Sequence, residues 1–153
     1  MRRIGAVAAL AAAMMIAGCG QSIGRWPPPA AAPTSATEWE ARLVGRRWHA
    51  PGEVVADFAR GGSFQIGLRD GAPAGEAPPV PPDSESTFGC LGPAGTGRWS
   101  IANGSAGGFE LVVGPPNDAP RRFALVWKSG EGPFDFVSLR SEECEVLLRA
   151  AKR

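Results

Sequence analysis

The sequence predicts an all-β domain, an antiparallel up-and-down meander closed into a small barrel of roughly eight strands, with one short helix ahead of it. Three observations carry this prediction. From about residue 46 onward, apolar and polar residues alternate in short runs, the period-two pattern of strands that bury one face. The gaps between runs hold turn chemistry, drawn from 21 Gly and 15 Pro among 153 residues. No helix-length apolar pattern interrupts the runs, which excludes parallel βαβ units.

The helix is expected just before the meander. Thr37 followed three residues later by Glu40 fits a capping box, Trp39, Leu43 and Val44 form one apolar side, and Gly45 ends the element. A first strand spans 46–50. Val54, Ala56 and Phe58 then alternate with Val55 and Asp57, and Phe64, Ile66 and Leu68 alternate with Ser63, Gln65, Gly67 and Arg69. Arg60-Gly61-Gly62 between these runs is a hairpin turn. Residues 70–86 carry Pro73, Pro78, Pro79, Pro81 and Pro82 and are expected as one long irregular loop, because Pro cannot donate to a β ladder. Such a loop is either a tolerated surface insertion or a partner-contacting arm or lid. Further strands are expected at 87–91, 98–102, 109–113, 122–128, 134–139 and 144–149. They are separated by Gly92-Pro93, Asn103-Gly104, 114–118, 129–132 and Ser141-Glu142-Glu143. About nine runs are thus strand candidates. A meander of about eight short strands, each burying one face, closes most simply into a barrel.

The alternation places Phe58, Phe64, Phe88, Phe109, Phe123, Phe134 and Phe136 in one inward phase with Trp99 and Trp127. A barrel this size is filled by side chains or holds one small ligand. So many bulky aromatics favour filling. Phe64, Phe88, Trp99, Phe109, Phe123, Trp127 and Phe136 are therefore candidates for the core or for a ligand lining.

The amino terminus has a different composition. Arg2 and Arg3 precede an apolar run at 4–17 that is short for a ~30 Å hydrocarbon core and ends in small residues, which reads as a secretion signal. Ile16-Ala17-Gly18-Cys19 resembles the lipobox of bacterial lipoproteins. The resemblance implies that residues 1–18 are a signal peptide cleaved before Cys19, that the Cys19 thiol takes a diacylglyceryl group, and that the new amino terminus is acylated. Two chains, at about 0.8 kcal/mol per buried CH₂, suffice for stable anchoring. Gly20 stands where an Asp would resemble the inner-membrane retention signal, so the periplasmic face of the outer membrane is the expected address. Residues 19–37, with Pro27, Pro28, Pro29 and Pro33 among Ala, Ser and Thr, read as a tether to a domain at 38–153. Trp26 within it docks on the domain, sits at lipid headgroups, or is simply a mobile, exposed side chain.

With Cys19 committed to lipid, Cys90 and Cys144 remain as an even pair in an oxidising compartment, and they are expected in a structural disulfide. They lack the close spacing of a redox-active C-x-x-C.

The inventory offers little chemistry. Sixteen Lys+Arg against fifteen Asp+Glu give +1, and without Arg2 and Arg3 the balance is 14 − 15 = −1, so there is no electrostatic footprint for nucleic acid. The only His is His49, there is no Tyr, and no elbow, zincin or phosphate-loop motif occurs. A catalytic centre, a metal site and a cofactor are therefore not expected. Glu142, Glu143 and Glu145 read as a solvated turn rather than a Ca²⁺ site, and Arg46-Arg47 and Arg121-Arg122 as solvated strand ends.

Several short motifs form a second resemblance: Leu43-Val44-Gly45-Arg46-Arg47-Trp48, Phe58 with Gly61-Gly62-Ser63-Phe64, Gly97-Arg98-Trp99 with Leu111, and Leu147-Leu148-Arg149. Together they resemble the small lipocalin-like members of the calycin superfamily, which begin near one Gly-x-Trp, carry a second in mid-chain, and form eight-stranded antiparallel barrels. The first motif here, Gly-Arg-Arg-Trp, is one residue longer. A second family to weigh is the periplasmic protease-inhibitor barrel of some lipoproteins, which also uses Trp and a disulfide; here no Cys follows the first Trp, which counts against that resemblance. These resemblances imply ligand or partner binding and no particular ligand. The expected function is a membrane-anchored, non-catalytic envelope module that contacts a protein partner. The alternatives are a carrier or sensor of a small apolar ligand and an inhibitor-type barrel. A void of a few hundred Å³ inside the barrel would favour the carrier.

Overall fold

A computed structural model describes residues 26–69, 82–114, 117, 119–130 and 132–153. The elements are α1 (Ala36–Leu43), β1 (Arg47–His49), a 3₁₀ turn (Pro51–Glu53), β2 (Val54–Phe58), β3 (Ser63–Leu68), α2 (Pro82–Leu91), β4 (Gly95–Asn103), β5 (Phe109–Gly114), β6 (Arg121–Ser129), β7 (Phe134–Arg140) and β8 (Glu145–Ala151). The strands pair in chain order, all antiparallel, and β1 pairs with β8 to close the barrel. The expected fold class is the one observed. The signal peptide, Cys19 and most of the Pro-rich loop lie outside the described residues.

Helix α1 starts two residues earlier than the expected capping box. Ser35 is the cap and its hydroxyl accepts from the Glu38 N–H at 3.2 Å. This start puts Trp39 and Leu43 at i and i+4, so both are buried, at 3% and 0% exposure. Leu43 also gives its carbonyl to the Trp48 indole N–H at 3.0 Å, which ties the helix to the first inward residue of β1.

The expected strand at 87–91 is instead the last part of α2, and the expected loop at 70–86 gives way to helix from residue 82. Asp83 and Glu85 stand in the first turn, where the helix dipole favours carboxylates. The Thr87 hydroxyl donates to Asp83 O at 3.1 Å and Pro51 O at 3.0 Å, which docks the helix on the 3₁₀ turn. Close approach is possible because Gly52 has no side chain: a Cβ there would sit 2.1 Å from the Ser84 nitrogen, and φ is +73°. Phe88 therefore lies on a helix, half-buried against the core.

The two helices close opposite ends of the barrel. One end holds the β2–β3, β4–β5 and β6–β7 hairpins, with Trp39 and Leu43 of α1 buried in the core beneath them. The other, the α2 end, holds the 3₁₀ turn and the β5–β6 and β7–β8 connections, with Cys90 and Leu91 of α2 buried at 6% and 4% exposure. Cys90 sits on this helix rather than on a strand, and it still reaches Cys144, just before β8. Their Sγ atoms are bonded and their Cα atoms lie 6.0 Å apart.

Register sorts the aromatics. Phe58, Phe64, Trp99 and Phe123 are buried inward, and Phe109 and Trp127 pack on the core at the hairpin end, half-buried. Phe58 and Trp99 meet edge to face at 5.3 Å, as do Trp39 and Trp127 at 6.1 Å. Phe134 and Phe136 are a correction: β7 buries Asp135, Val137 and Leu139, so its two Phe lie half-buried on the outer face, and Phe134 carries the Arg149 guanidinium 4.9 Å above its ring. Asp135 is inward because Arg46 meets it there. Arg46 is likewise no solvated strand end. Its Nη2 donates to Asp135 Oδ2 at 2.7 Å and to Ala151 O at 2.5 Å, and its guanidinium lies 5.1 Å above the Trp48 ring. The two side chains are only 5% and 4% exposed. Ser129 completes the group by donating to Asp135 Oδ1 at 2.9 Å.

Removing one member of a buried pair strands the other charge. Asp135→Ala is expected to cost about 3–5 kcal/mol, and Arg46→Met with Asp135→Leu less than Asp135→Ala alone. Urea midpoints of the three proteins check this. Reduction of Cys90–Cys144 is expected to cost about 2–4 kcal/mol, read as a fall in melting temperature in a reductant and the same fall in Cys90→Ala/Cys144→Ala.

Candidate functional site

The interior is the first place to look for a ligand, and it is full. Ala56, Phe58, Phe64, Ile66, Leu111, Val113, Leu139 and Leu148 converge from the strands and Leu91 enters from α2, leaving a cavity of about 10 Å³. That is at most the room of one water. Of the residues expected to form a core or ligand lining, Phe64, Trp99 and Phe123 are core, Phe109, Trp127 and Phe88 flank it, and Phe136 is outside.

Outside the barrel, the two ends differ. At the α2 end a groove of about 960 Å³ runs beside the disulfide, between Ser86 and Gly89 of α2, Arg121 and Arg122 of β6, and the Ser141–Cys144 turn. Arg121 points its Nη1 at the last carbonyls of α2, Gly89 O at 2.6 Å and Cys90 O at 2.8 Å, a favourable place for a cation at a helix C-terminus. Arg122 pairs with Glu110 at 3.0 Å and Arg140 with Glu145 at 2.9 Å. The Ser141 hydroxyl accepts from the Glu143 and Cys144 N–H groups at 3.3 and 3.2 Å, which fixes the turn. Glu145 is held by Ser138 and Arg140. A hydrogen bond from the Ser138 hydroxyl, then the Arg140 guanidinium, hold its carboxyl below the usual range.

At the hairpin end the described part of the Pro-rich segment lies along the barrel. Ala30 N–H donates to Ser129 Oγ at 3.1 Å and Ala30 O accepts from the Trp127 indole at 3.1 Å. Lys152 Nζ donates to Pro27 O at 3.1 Å, Arg42 stacks 5.3 Å above Trp127, and Pro33 is buried. Composition alone did not give this docking. The signal for it was Trp127, an inward aromatic near a strand end with an indole N–H in need of an acceptor. Trp26 is 60% exposed at the start of the segment.

His49 stands on β1 opposite Arg149 of β8 and is half-buried, with Arg69 and Arg47 also close. Burial first, then the charges of Arg69, Arg149 and Arg47, lower its pKa, against Asp57. The arrangement holds a neutral imidazole among cations, with no nucleophile among the groups that act on it. Among the described residues no three His, Cys, Asp or Glu are grouped to hold a metal.

No family model, curated protein or solved structure matches this chain.

Because the folded state binds the His49 proton more weakly than the unfolded chain, the stability tied to it is fully present above about pH 6.5. It is lost as pH falls from there toward the lower folded value. The slope of melting temperature between pH 7 and pH 5 is expected to be shallower in His49→Gln than in the parent, by a pH series of thermal melts.

Proposed function

We propose that the protein is a lipid-anchored module of the bacterial envelope whose barrel is a non-catalytic interaction domain, held at the periplasmic face of the outer membrane through Cys19. The observation that carries the reading is the filled interior. A carrier of a small apolar molecule needs a pocket of about 300–1,000 Å³, and this barrel encloses about 10 Å³, with a helix over each end. What the fold offers a partner is its outer surface: a rigid, disulfide-tied α2 end with a charged groove. The lipobox-like Ile16-Ala17-Gly18-Cys19 supports the anchoring half of the proposal.

Each half has its own test. Cys19→Ser is expected to leave the precursor uncleaved and unlabelled by radioactive fatty acid, since the thiol is the acceptor; an acyl-labelled, membrane-bound mutant would sink the anchoring reading. Native mass spectrometry of the purified protein with an apolar fluorophore present is expected to show no bound species. The variant Phe123→Ala, which opens a cavity, supplies the positive control. Stoichiometric binding by the parent would turn the reading to the carrier.

A further inference from the structure

We propose that the hairpin end of the barrel rests on the anionic headgroup layer of the membrane that holds the acyl chains, so that the α2 end, with its groove and disulfide, points away from the lipid. This rests on the anchoring reading above and adds an orientation to it. Three observations converge.

The first is the direction from which the chain arrives. Ala30, Pro27 and Pro33 are fixed to the hairpin end by Ser129, Trp127, Lys152 and burial, so Trp26 leaves the domain from that end. Cys19 is seven residues before Trp26, and a fully extended chain covers at most ~3.6 Å per residue, or about 25 Å. The lipid-bearing residue is thus held near one chosen end. Turning the α2 end to the membrane would require that short stretch to span the barrel's own height as well.

The second is charge. Around the hairpin end stand Arg42, Arg60, Arg98, Lys152 and Arg153, which line two adjoining grooves with Glu40; Glu38, whose carboxylate accepts from the Thr34 N–H at 2.6 Å, is a second negative charge there, and the cations outnumber the two. Arg98 faces Ser63 in the register of β3 and β4, beside Gly61 and Gly62 of the hairpin. Arg153 and Lys152 are held at this rim by Val44 O at 2.5 Å and Gly130 O at 2.6 Å. The α2 end has the opposite sign. Glu53, Asp83, Glu85, Glu142 and Glu143 are exposed there against the cations of Arg69 and Arg121, while Arg122 is paired with Glu110 and Arg140 with Glu145, so carboxylates are in excess. An anionic surface attracts the first end and repels the second within a Debye length of about 8 Å.

The third is Trp26, 60% exposed at the start of the docked segment. An indole with an apolar body and one polar tip is suited to the headgroup level.

The test uses the acylated, full-length mature protein reconstituted into vesicles of phosphatidylcholine alone and of phosphatidylcholine mixed with phosphatidylglycerol. Backbone hydrogen exchange is then followed in hairpins 59–62 and 130–133 and in the Ser141–Cys144 turn. The hairpin amides are expected to exchange several-fold more slowly on the anionic vesicles than on the neutral ones, with the turn unchanged. High salt should erase the difference. Arg60→Glu/Arg98→Glu alters two exposed side chains, so the fold is retained; this variant should stay on the vesicles through its acyl chains and lose the protection. Vesicle-bound protein with equal hairpin exchange on both lipids, or with protection in the turn instead, overturns the orientation and leaves the anchoring reading standing. Failure to float with either kind of vesicle overturns the anchoring reading and the orientation with it.

Discussion

The barrel depends on its seam. Every other ladder joins strands that follow one another in the chain, but β1 meets β8 through a single registered pair, His49 with Arg149. So short a ladder leaves closure to side chains, and Arg46 does most of that work. Its guanidinium reaches β7 at Asp135 and the end of β8 at Ala151, and it covers Trp48, the inward residue of β1. Three strands and α1, through Trp48 and Leu43, thus converge on one cation. A buried ion pair is seldom a large net source of stability. Here it fixes which strand edges meet, a role that an apolar contact of the same size would fill with less geometric definition.

The same pair explains the limits of what the pattern of residues reveals. Alternation located every strand that was observed, because one buried face and Gly-rich turns leave a period-two trace regardless of tertiary detail. Phase is harder. In Phe134-Asp135-Phe136-Val137-Ser138-Leu139, apolar residues occupy both phases, and weighing aromatic bulk points the wrong side inward. The deciding partner, Arg46, is 89 residues away in sequence. Local patterns carry no information about so distant a contact. Residues 87–91 misled for a related reason. TFGCL reads as a strand by composition, and its helical state comes from Asp83 and Glu85 in the turn before it and from docking on Gly52, again a non-local cause.

For the candidate site, the inventory of residues set useful bounds. The sole histidine and the even cysteine pair could be read directly, and the disulfide needed only that two positions come close, whichever element carries them. Whether the interior was full could not be read, since a hollow and a packed barrel share one alternation. Packing by Leu91 from α2 settles it, and α2 was the element the pattern missed. The docked segment around Ala30 was hidden too. Its hydrogen bonds are made largely by backbone atoms, which look alike in every sequence.

The strand order also sets the tempo of folding. Hairpins between consecutive strands form locally and fast, on the order of microseconds each, but the ring shuts only when residue 149 returns to residue 49, 100 positions earlier (149 − 49). The entropic cost of that return grows only with the logarithm of the span. What it imposes is an order of events. A chain delivered amino end first presents a growing, curved sheet with two open edges, β1 and the newest strand, and such edges invite pairing with other chains. That exposure ends when β8 arrives, so the last strand of the barrel to be made is also the one that removes its open edges.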